Sequence, residues 1–325
     1  MPLVRQLNAD EYQAWDKFVT DSPQAGLFQT IKWAQFLCET DEQGLMFLPL
    51  ASIEDDKFSG GIVVCYRKGH GSTIVDPPLF GYNGPALAPA LDRPDRDHTY
   101  SVYSVLAGLL NGLEEKIESI TLVNQPEIWD TRAFMFQSWH TDTAYTHIWH
   151  CPDRDEAWKQ IQPDIQKSIR ASQNSLTFKA VDDEIHIQKF IELIVQQRPI
   201  TGMQKIQPAV FHKRIKRMQA EDNGRLYTLT DSSGRDIGMA LIILSRENQT
   251  AYLWDAVCAE PEREADLLPY LYHQIYSSLA DRFSRLDLGQ SRQYAIGEIK
   301  DQLGCELTPI FITTRQMQKS RKVRP

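Results

Sequence analysis

One order of elements occurs twice in this chain, and that repetition limits its folds more than any other feature. In the first half, hydrophobic periodicity predicts a strand at 3–7 and a helix capped by Asn8 with Glu11 that carries Tyr12, Trp15, Phe18 and Val19. A second short helix follows Thr30, then strands near 45–53 and 58–66 and a Gly/Pro-rich stretch from Asp76 to Pro85. A helix over 99–117, a strand at 119–124, a short helix at 127–136 and a strand at 144–150 complete the half. The second half gives a strand at 176–181, helices at 184–197 and 208–221, and strands at 225–230, 237–244 and 250–257. A long helix at 262–282, a strand at 285–288, a helix at 294–303 and a strand at 306–313 close it. Each half therefore reads strand, two helices, two or three strands, helix, strand, helix, strand. The 153–174 segment between them reads as helical, with Asp153 and Glu156 as its capping pair and Pro163 dividing it. The class is α/β or α+β, with one domain over 1–151, a helical connector over 152–174 and a second domain over 175–325.

Composition bears on function rather than on topology. At 42% hydrophobic and 24% charged residues the chain has ample apolar surface for two cores, which excludes a disordered polymer. Its 35 basic and 43 acidic residues leave a net charge of −8, which argues against a broad duplex-DNA binder, since that needs a net basic face, while leaving room for a local basic groove. The basic tail of Arg315, Lys319, Arg321, Lys322 and Arg324 reads either as a local anion contact or as a solvated terminus. The five cysteines, Cys38, Cys65, Cys151, Cys258 and Cys305, form no C-x-x-C pair and fit reduced thiols. There is no signal-type pattern in the first ten residues and no apolar run of the roughly 20 residues that cross a bilayer, so a cytoplasmic protein is expected.

Several local phrases add to the element order. They are Phe28-Gln29-Thr30 before Trp33, Gly81-Tyr82-Asn83-Gly84-Pro85, Lys167-Ser168-Ile169-Arg170-Ala171 and Arg198. Others are Tyr252-x-Trp254-Asp255-Ala256, Asp287-Leu288-Gly289-Gln290-Ser291 and Ile299-Lys300 before Gly304. In these phrases and in their order the chain resembles the GNAT acyltransferase fold occurring twice, as in the Fem-type peptidyltransferases and other double-GNAT acyltransferase-like proteins. The resemblance spans nearly the whole chain, although the first Arg of the family's connector phrase is absent here. It implies an N-acyl or aminoacyl transferase acting in a cleft between or beside the two domains, with an amine acceptor on a small molecule or on a cell-wall or polysaccharide precursor. The alternative is a binding protein that keeps the double fold without catalysis.

Such a site holds a carbonyl oxygen with donors and keeps an amine neutral, and it needs no covalent nucleophile. By the resemblance, Lys300 faces the reacting groups, where its charge stabilises an oxyanion or a phosphate; the bland reading is a solvated helix lysine. Asp255 lies in an apolar strand, where a carboxylate is costly unless bonded, and either orients the amine or points outward. Tyr252 and Trp254 share the other face and line a groove or fill the core. Asp287, Gly289 and Ser291 stand at a strand end, where ligands bind in open sheets. Arg170 and Arg198 are candidate anion clamps or surface ion pairs. Tyr82 and Asn83 wall the groove or form a tight turn.

The donor is either aminoacyl-tRNA or acyl-CoA. A glycine-rich pyrophosphate loop is missing, and Ala259-Glu260-Pro261-Glu262-Arg263-Glu264 stands where it belongs, with three glutamates that repel a diphosphate. A tRNA donor calls for a basic groove; Lys167, Lys179, Lys205, Lys213, Arg214, Lys216 and Arg217 are the candidates beside Arg170 and Arg198. His140, His147, His150 and Cys151 match no zinc spacing, so no metal is expected.

Overall fold

The structure is a computed structural model and describes residues 2–69, 72–75, 81–91, 99–151, 153–197, 207–260, 264–291 and 293–316. The duplicated order is present. The first half runs β1 (Leu3–Gln6), α1 (Tyr12–Asp21), α2 (Ile31–Thr40), β2 (Met46–Glu54), β3 (Lys57–Gly69), β4 (Ser72–Val75), β5 (Ala86–Leu87), α3 (Thr99–Glu114), β6 (Ser119–Val123), α4 (Arg132–Phe136) and β7 (His140–His150). Helices α5 (Arg154–Gln160) and α6 (Pro163–Gln173) follow. Then come β8 (Thr177–Val181), α7 (Glu184–Gln197), α8 (Pro208–Ala220), β9 (Gly224–Thr230), β10 (Asp236–Ser245), β11 (Thr250–Cys258), α9 (Glu264–Leu279), β12 (Arg285–Asp287), α10 (Tyr294–Gln302) and β13 (Glu306–Gln316). Apart from β4 and the two-residue β5, which pairs with β3 and which, like β4, the sequence reading does not include, and the shorter α4, the order is the one read from the sequence.

The local causes are the expected ones. Glu11 turns back to accept the Asn8 N–H at 2.9 Å, and the Thr30 hydroxyl accepts the Trp33 N–H at 3.0 Å at the start of α2. Asp153 caps α5 through the Asp155 N–H at 2.8 Å, and Pro163 opens α6 at its first position, where a missing N–H costs nothing.

The chain divides into two compact units, Met1–Ala144 with Ile310–Pro325, and Tyr145–Pro309. This differs from a cut at 151 followed by an independent connector. Strand β7 leaves unit 1 after Ala144, and β13 leaves unit 2 after Pro309. In unit 1 the strands run β1-β2-β3-β4-β6-β13, with β6 antiparallel to β13 over Ile312↔Val123 to Gln316↔Ser119. In unit 2 they run β7-β12-β11-β10-β9-β8, with β12 antiparallel to β7 over Arg285↔His150 to Asp287↔Ile148. Thus the last strand of each half lies beside the other half's penultimate strand. Each unit has one parallel pair at the same place, β4 with β6 and β11 with β12.

Unit 1 closes a core over α3 and β6 that includes Leu106, Leu113, Ile120, Leu122 and Phe134. In unit 2 the helices α5 and α6 are part of the core: Ala157, Ile161 and Ile169 are buried with Trp149, Tyr276, Leu286 and Leu303. The connector is held there by its own apolar stripe, so it does not act as a spacer. His273 on α9 meets the Trp158 ring at 5.1 Å, and burial lowers its pKa to about 4. The unfolded chain takes up that proton near pH 6.5 and the folded chain only near pH 4. Stability from this group is therefore full above pH 6.5 and is lost as pH falls to 4, by at most about 3 kcal/mol. Replacing His273 with Leu is expected to flatten the urea-denaturation midpoint between pH 6.5 and 4.5.

Candidate active site in the second unit

The site is built where β12 ends. β11 and β12 pair in parallel only at Thr250↔Arg285, Ala251↔Leu286 and Tyr252↔Asp287, and the ladder between them stops there. On its other side β11 carries a bulge: Leu241 pairs with Asp255 but Ile242 with Leu253, so Trp254 is the extra residue. A bulge bends its strand and turns side chains to a new heading. The Trp254 ring meets Phe211 of α8 edge-on at 4.4 Å and fills the core. Tyr252 is buried and its hydroxyl accepts from Asn248 at 2.9 Å, so it too is held by its own hairpin.

The chain leaves β12 through a turn at Leu288–Gln290. Gly289 takes φ +70, a conformation that glycine adopts without cost, and a β-carbon there would lie 3.9 Å from the Leu253 carbonyl oxygen across the opened edge. Three groups fix this turn. Asp287, 4% exposed, accepts the Gly289 N–H at 2.8 Å and a hydrogen bond from the Thr146 hydroxyl of β7. The backbone of His147 gives its N–H to Gly289 at 3.4 Å and accepts the Leu288 N–H at 2.8 Å.

The third is Lys300. Its ammonium donates to the carbonyls of Leu288 (2.8 Å), Gly289 (3.1 Å) and Gln290 (3.4 Å). The side chain is 2% exposed, so it is not a solvated helix lysine. Burial lowers its pKa to about 8, against the opposing pull of Asp287, Cys305 and Asp255. All three of its protons have acceptors on one turn, which makes its charge a fixed feature of that turn.

His147 stands beside it. Its Nε2 lies 3.3 Å from Asp301 Oδ1, and its Nδ1 is buried with no hydrogen-bond partner. Burial, and then the charge of Lys300, lowers its pKa, with Asp301 opposing, so the ring is neutral at pH 7. Cys305, just before β13, is raised by burial and stays a thiol.

The residues singled out from the sequence divide as follows. Lys300, Asp255, Asp287 and Gly289 come together at this strand end, and Ser291 follows on the same turn with its hydroxyl buried beside Gly297 of α10. Arg170 on α6 instead stacks over the Trp158 ring at 5.3 Å. Tyr82 and Asn83 belong to unit 1 as fastenings. The Asn83 side chain donates to Thr121 at 3.1 Å and accepts the Val123 N–H at 2.7 Å, which extends the β6 ladder, while Tyr82 meets Phe28 edge-on at 6.3 Å. Arg198, Lys205, the 261–263 stretch and the tail beyond 316 lie outside the described residues. Along α8, Lys216 pairs with Glu184 at 3.0 Å and Arg217 with Glu221 at 2.8 Å, so that run is largely neutralised on its own face. Glu260 is paired with Arg235 at 2.9 Å. Among the described residues no group of His, Cys, Asp and Glu is placed to hold a metal ion, and no helix is long and apolar enough to cross a membrane.

Sequence reasoning missed Thr146 and Asp301, and weighed His147 only as one of a metal-type set. Thr146 and His147 were assigned to the first half, and their one signal at this site was a polar pair inside an otherwise apolar strand end.

No family model and no curated protein sequence matches the chain. Solved structures do. A structure of FemX aligns over 95% of this chain and 96% of its own, at 13% identity and TM-score 0.67. A tandem GNAT protein from the clavulanic acid biosynthesis pathway covers 98% and 100%, at 12% identity and TM-score 0.60. L-PGS from Bacillus licheniformis covers 97% and 94%, at 10% identity and TM-score 0.53. These alignments run over nearly the full length of the chain and give it the fold of the tandem GNAT protein, which FemX also matches.

Proposed function

We propose that this chain is an N-acyl or aminoacyl transferase that works in the cytoplasm on an amine of a cell-wall or polysaccharide precursor. The observation that carries this reading is the ladder that stops at Tyr252↔Asp287, with the buried Lys300 ammonium bound to the turn facing the gap. A carbonyl seated there meets a fixed positive field, the kind of preorganised electrostatics that stabilises a tetrahedral oxyanion. The acceptor nitrogen bonds to the acyl carbon, the carbon–oxygen or carbon–sulfur bond to the donor breaks, and the amine proton leaves with the departing oxygen or sulfur. Lys300 supplies charge through the turn it holds, Asp287 keeps Gly289 in place, and Asp255 adds a carboxylate near the amine.

Of the two donors, aminoacyl-tRNA is favoured over acyl-CoA. After β11 the sequence reads Glu260-Pro261-Glu262-Arg263-Glu264, with no glycine and three glutamates where a coenzyme's diphosphate needs donors. The resemblance to Fem-type enzymes supports the precursor acceptor. The test incubates purified chain with aminoacyl-tRNA or acyl-CoA and with nucleotide-linked muramoyl peptides or amino sugars, and reads new amide products by mass spectrometry. The expected result is an aminoacylated product from the tRNA donor; no product above uncatalysed aminolysis with any pair would remove the transferase reading.

A further inference from the structure

Among the buried titratable groups that the proposed transfer chemistry leaves without a role, His147 lies closest to the turn that Lys300 holds. It comes from β7, yet it touches everything that shapes the turn after β12. Its backbone makes two hydrogen bonds to that turn, with Leu288 and Gly289. Its ring, 5% exposed, lies between that turn and α10, 3.3 Å from Asp301. A proton on Nε2 is donated to Asp301 Oδ1, which leaves Nδ1 as a bare lone pair in a dry site with no donor facing it.

From this geometry we infer that His147 is a positioning residue for Lys300, and that the turn at Leu288–Gln290 keeps its place only while the imidazole is uncharged. A second proton has to go on Nδ1. There it would find no acceptor, and it would set a second positive charge beside a buried ammonium whose three donors are already committed. Both consequences push the ring or the ammonium away, and either movement loosens the carbonyls that Lys300 holds. The charged groups around the pair are Lys300 and Asp301 on α10, Asp287 at the end of β12 and Asp255 on β11, with the Cys305 thiol before β13. Asp287 is engaged by Thr146 and Gly289, and the side chain of Asp301 is 58% exposed. Asp301 meets the ring on its Nε2 side and partly offsets the charge, but a proton on Nδ1 still finds no acceptor. The downward shift of His147 caused by burial and by Lys300 agrees with this arrangement. The device makes transfer fail on the acid side.

The inference rests on the transferase reading for its functional consequence, but its physical core is testable without activity. In protein carrying 13C-labelled histidine, the His147 ring signal, assigned with His147→Gln, is titrated from pH 8 to 4.5. Its midpoint is expected below the ordinary value of about 6.5 and is expected to rise in Lys300→Met. A midpoint that is unmoved by Lys300→Met overturns the coupling, whatever the protein transfers. With a working donor and acceptor, wild-type kcat is expected to fall about tenfold per pH unit below that midpoint, with KM nearly constant. His147→Gln, which keeps a donor toward Asp301 but cannot titrate, is expected to retain folding and lose most of that acid limb. His147→Asn, shorter and likewise uncharged, is the second variant should the first not fold. An acid limb that survives in a folded variant overturns the positioning role. Absence of transfer in every assay removes the reading under Proposed function and leaves the titration result standing on its own.

Discussion

Lys300→Met is expected to lower kcat for transfer by about two to three orders of magnitude while the protein stays folded, the size of loss seen when one oxyanion-stabilising donor is removed. Two opposing terms set its effect on stability. Burying the charged ammonium costs the fold: a pKa lowered from 10.5 to about 8 corresponds to roughly 3 kcal/mol, which methionine recovers. Against this, the carbonyls of Leu288 and Gln290 lose their donor, at about 1–3 kcal/mol for each acceptor left dry, while Gly289 keeps the His147 N–H. Carbonyls near an opened strand edge can be rehydrated, so the sum stays within a few kcal/mol. The turn loosens, but unit 2 keeps its core. A thermal melt and a kcat measurement on the same preparation separate the outcomes. Loss of kcat with a melting temperature within several degrees of wild type supports an electrostatic role; unchanged kcat removes Lys300 from the chemistry. The pH dependence has a definite sign. Lys300 loses its proton as pH rises through about 8, so transfer is expected to decline above pH 8, on the opposite side from the His147 limb.

Much of the fold was legible because it is written in short-range chemistry. Thr30 and Asp153 mark helix starts through hydrogen bonds that span two or three residues, and Pro163 marks one through its fixed backbone at the first position; such signals survive without tertiary context. The opened edge and the partners of β7 and β13 were not legible in the same way. Alternation tells where a strand is, not which strand lies beside it. Thr146 and Asp287 are 141 residues apart, and their meeting depends on β7 crossing into unit 2 after Ala144. For the same reason His147 looked like one of a loose set of metal-type residues, when its real neighbours are Leu288, Gly289 and Asp301. The burial of Lys300 is a case in between. Its helix places Ile299 and Leu303 on the apolar side, and only the acceptors offered by a distant turn make a lysine tolerable beside them. The bulge at Trp254 is a register event between β10 and β11 and has no one-residue signature.

Gly81→Ala is expected to destabilise unit 1 strongly, through backbone strain and a steric clash together. Gly81 has φ +77, and a β-carbon there would lie 2.6 Å from two atoms of the Phe28 ring. The left-handed backbone costs a residue with a β-carbon about 1–2 kcal/mol, and forcing a methyl into a filled site adds about 1–3 kcal/mol. Phe28 has little room to yield, because it is 4% exposed and meets Trp33 at 5.3 Å as well as Tyr82. A total near 2–5 kcal/mol corresponds to a fall of roughly 5–15 °C in the melting temperature of a unit this size. Gly289→Ala is the control for backbone strain alone. Its φ is also positive, but the nearest atom to a β-carbon is 3.9 Å away, so only the strain term of about 1–2 kcal/mol remains. Adding Phe28→Leu to Gly81→Ala removes the clash and leaves the strain. The double variant should therefore lose less than the two single losses combined, by about 1 kcal/mol or more, as residues in contact do. Strict additivity would mean that Phe28 moves aside freely. The phrases Phe28-Gln29-Thr30 and Gly81-Tyr82-Asn83 would then not be coupled through this contact, although the Phe28–Tyr82 ring contact and the 3.4 Å bond from the Gln29 amide to the Tyr82 carbonyl still join them.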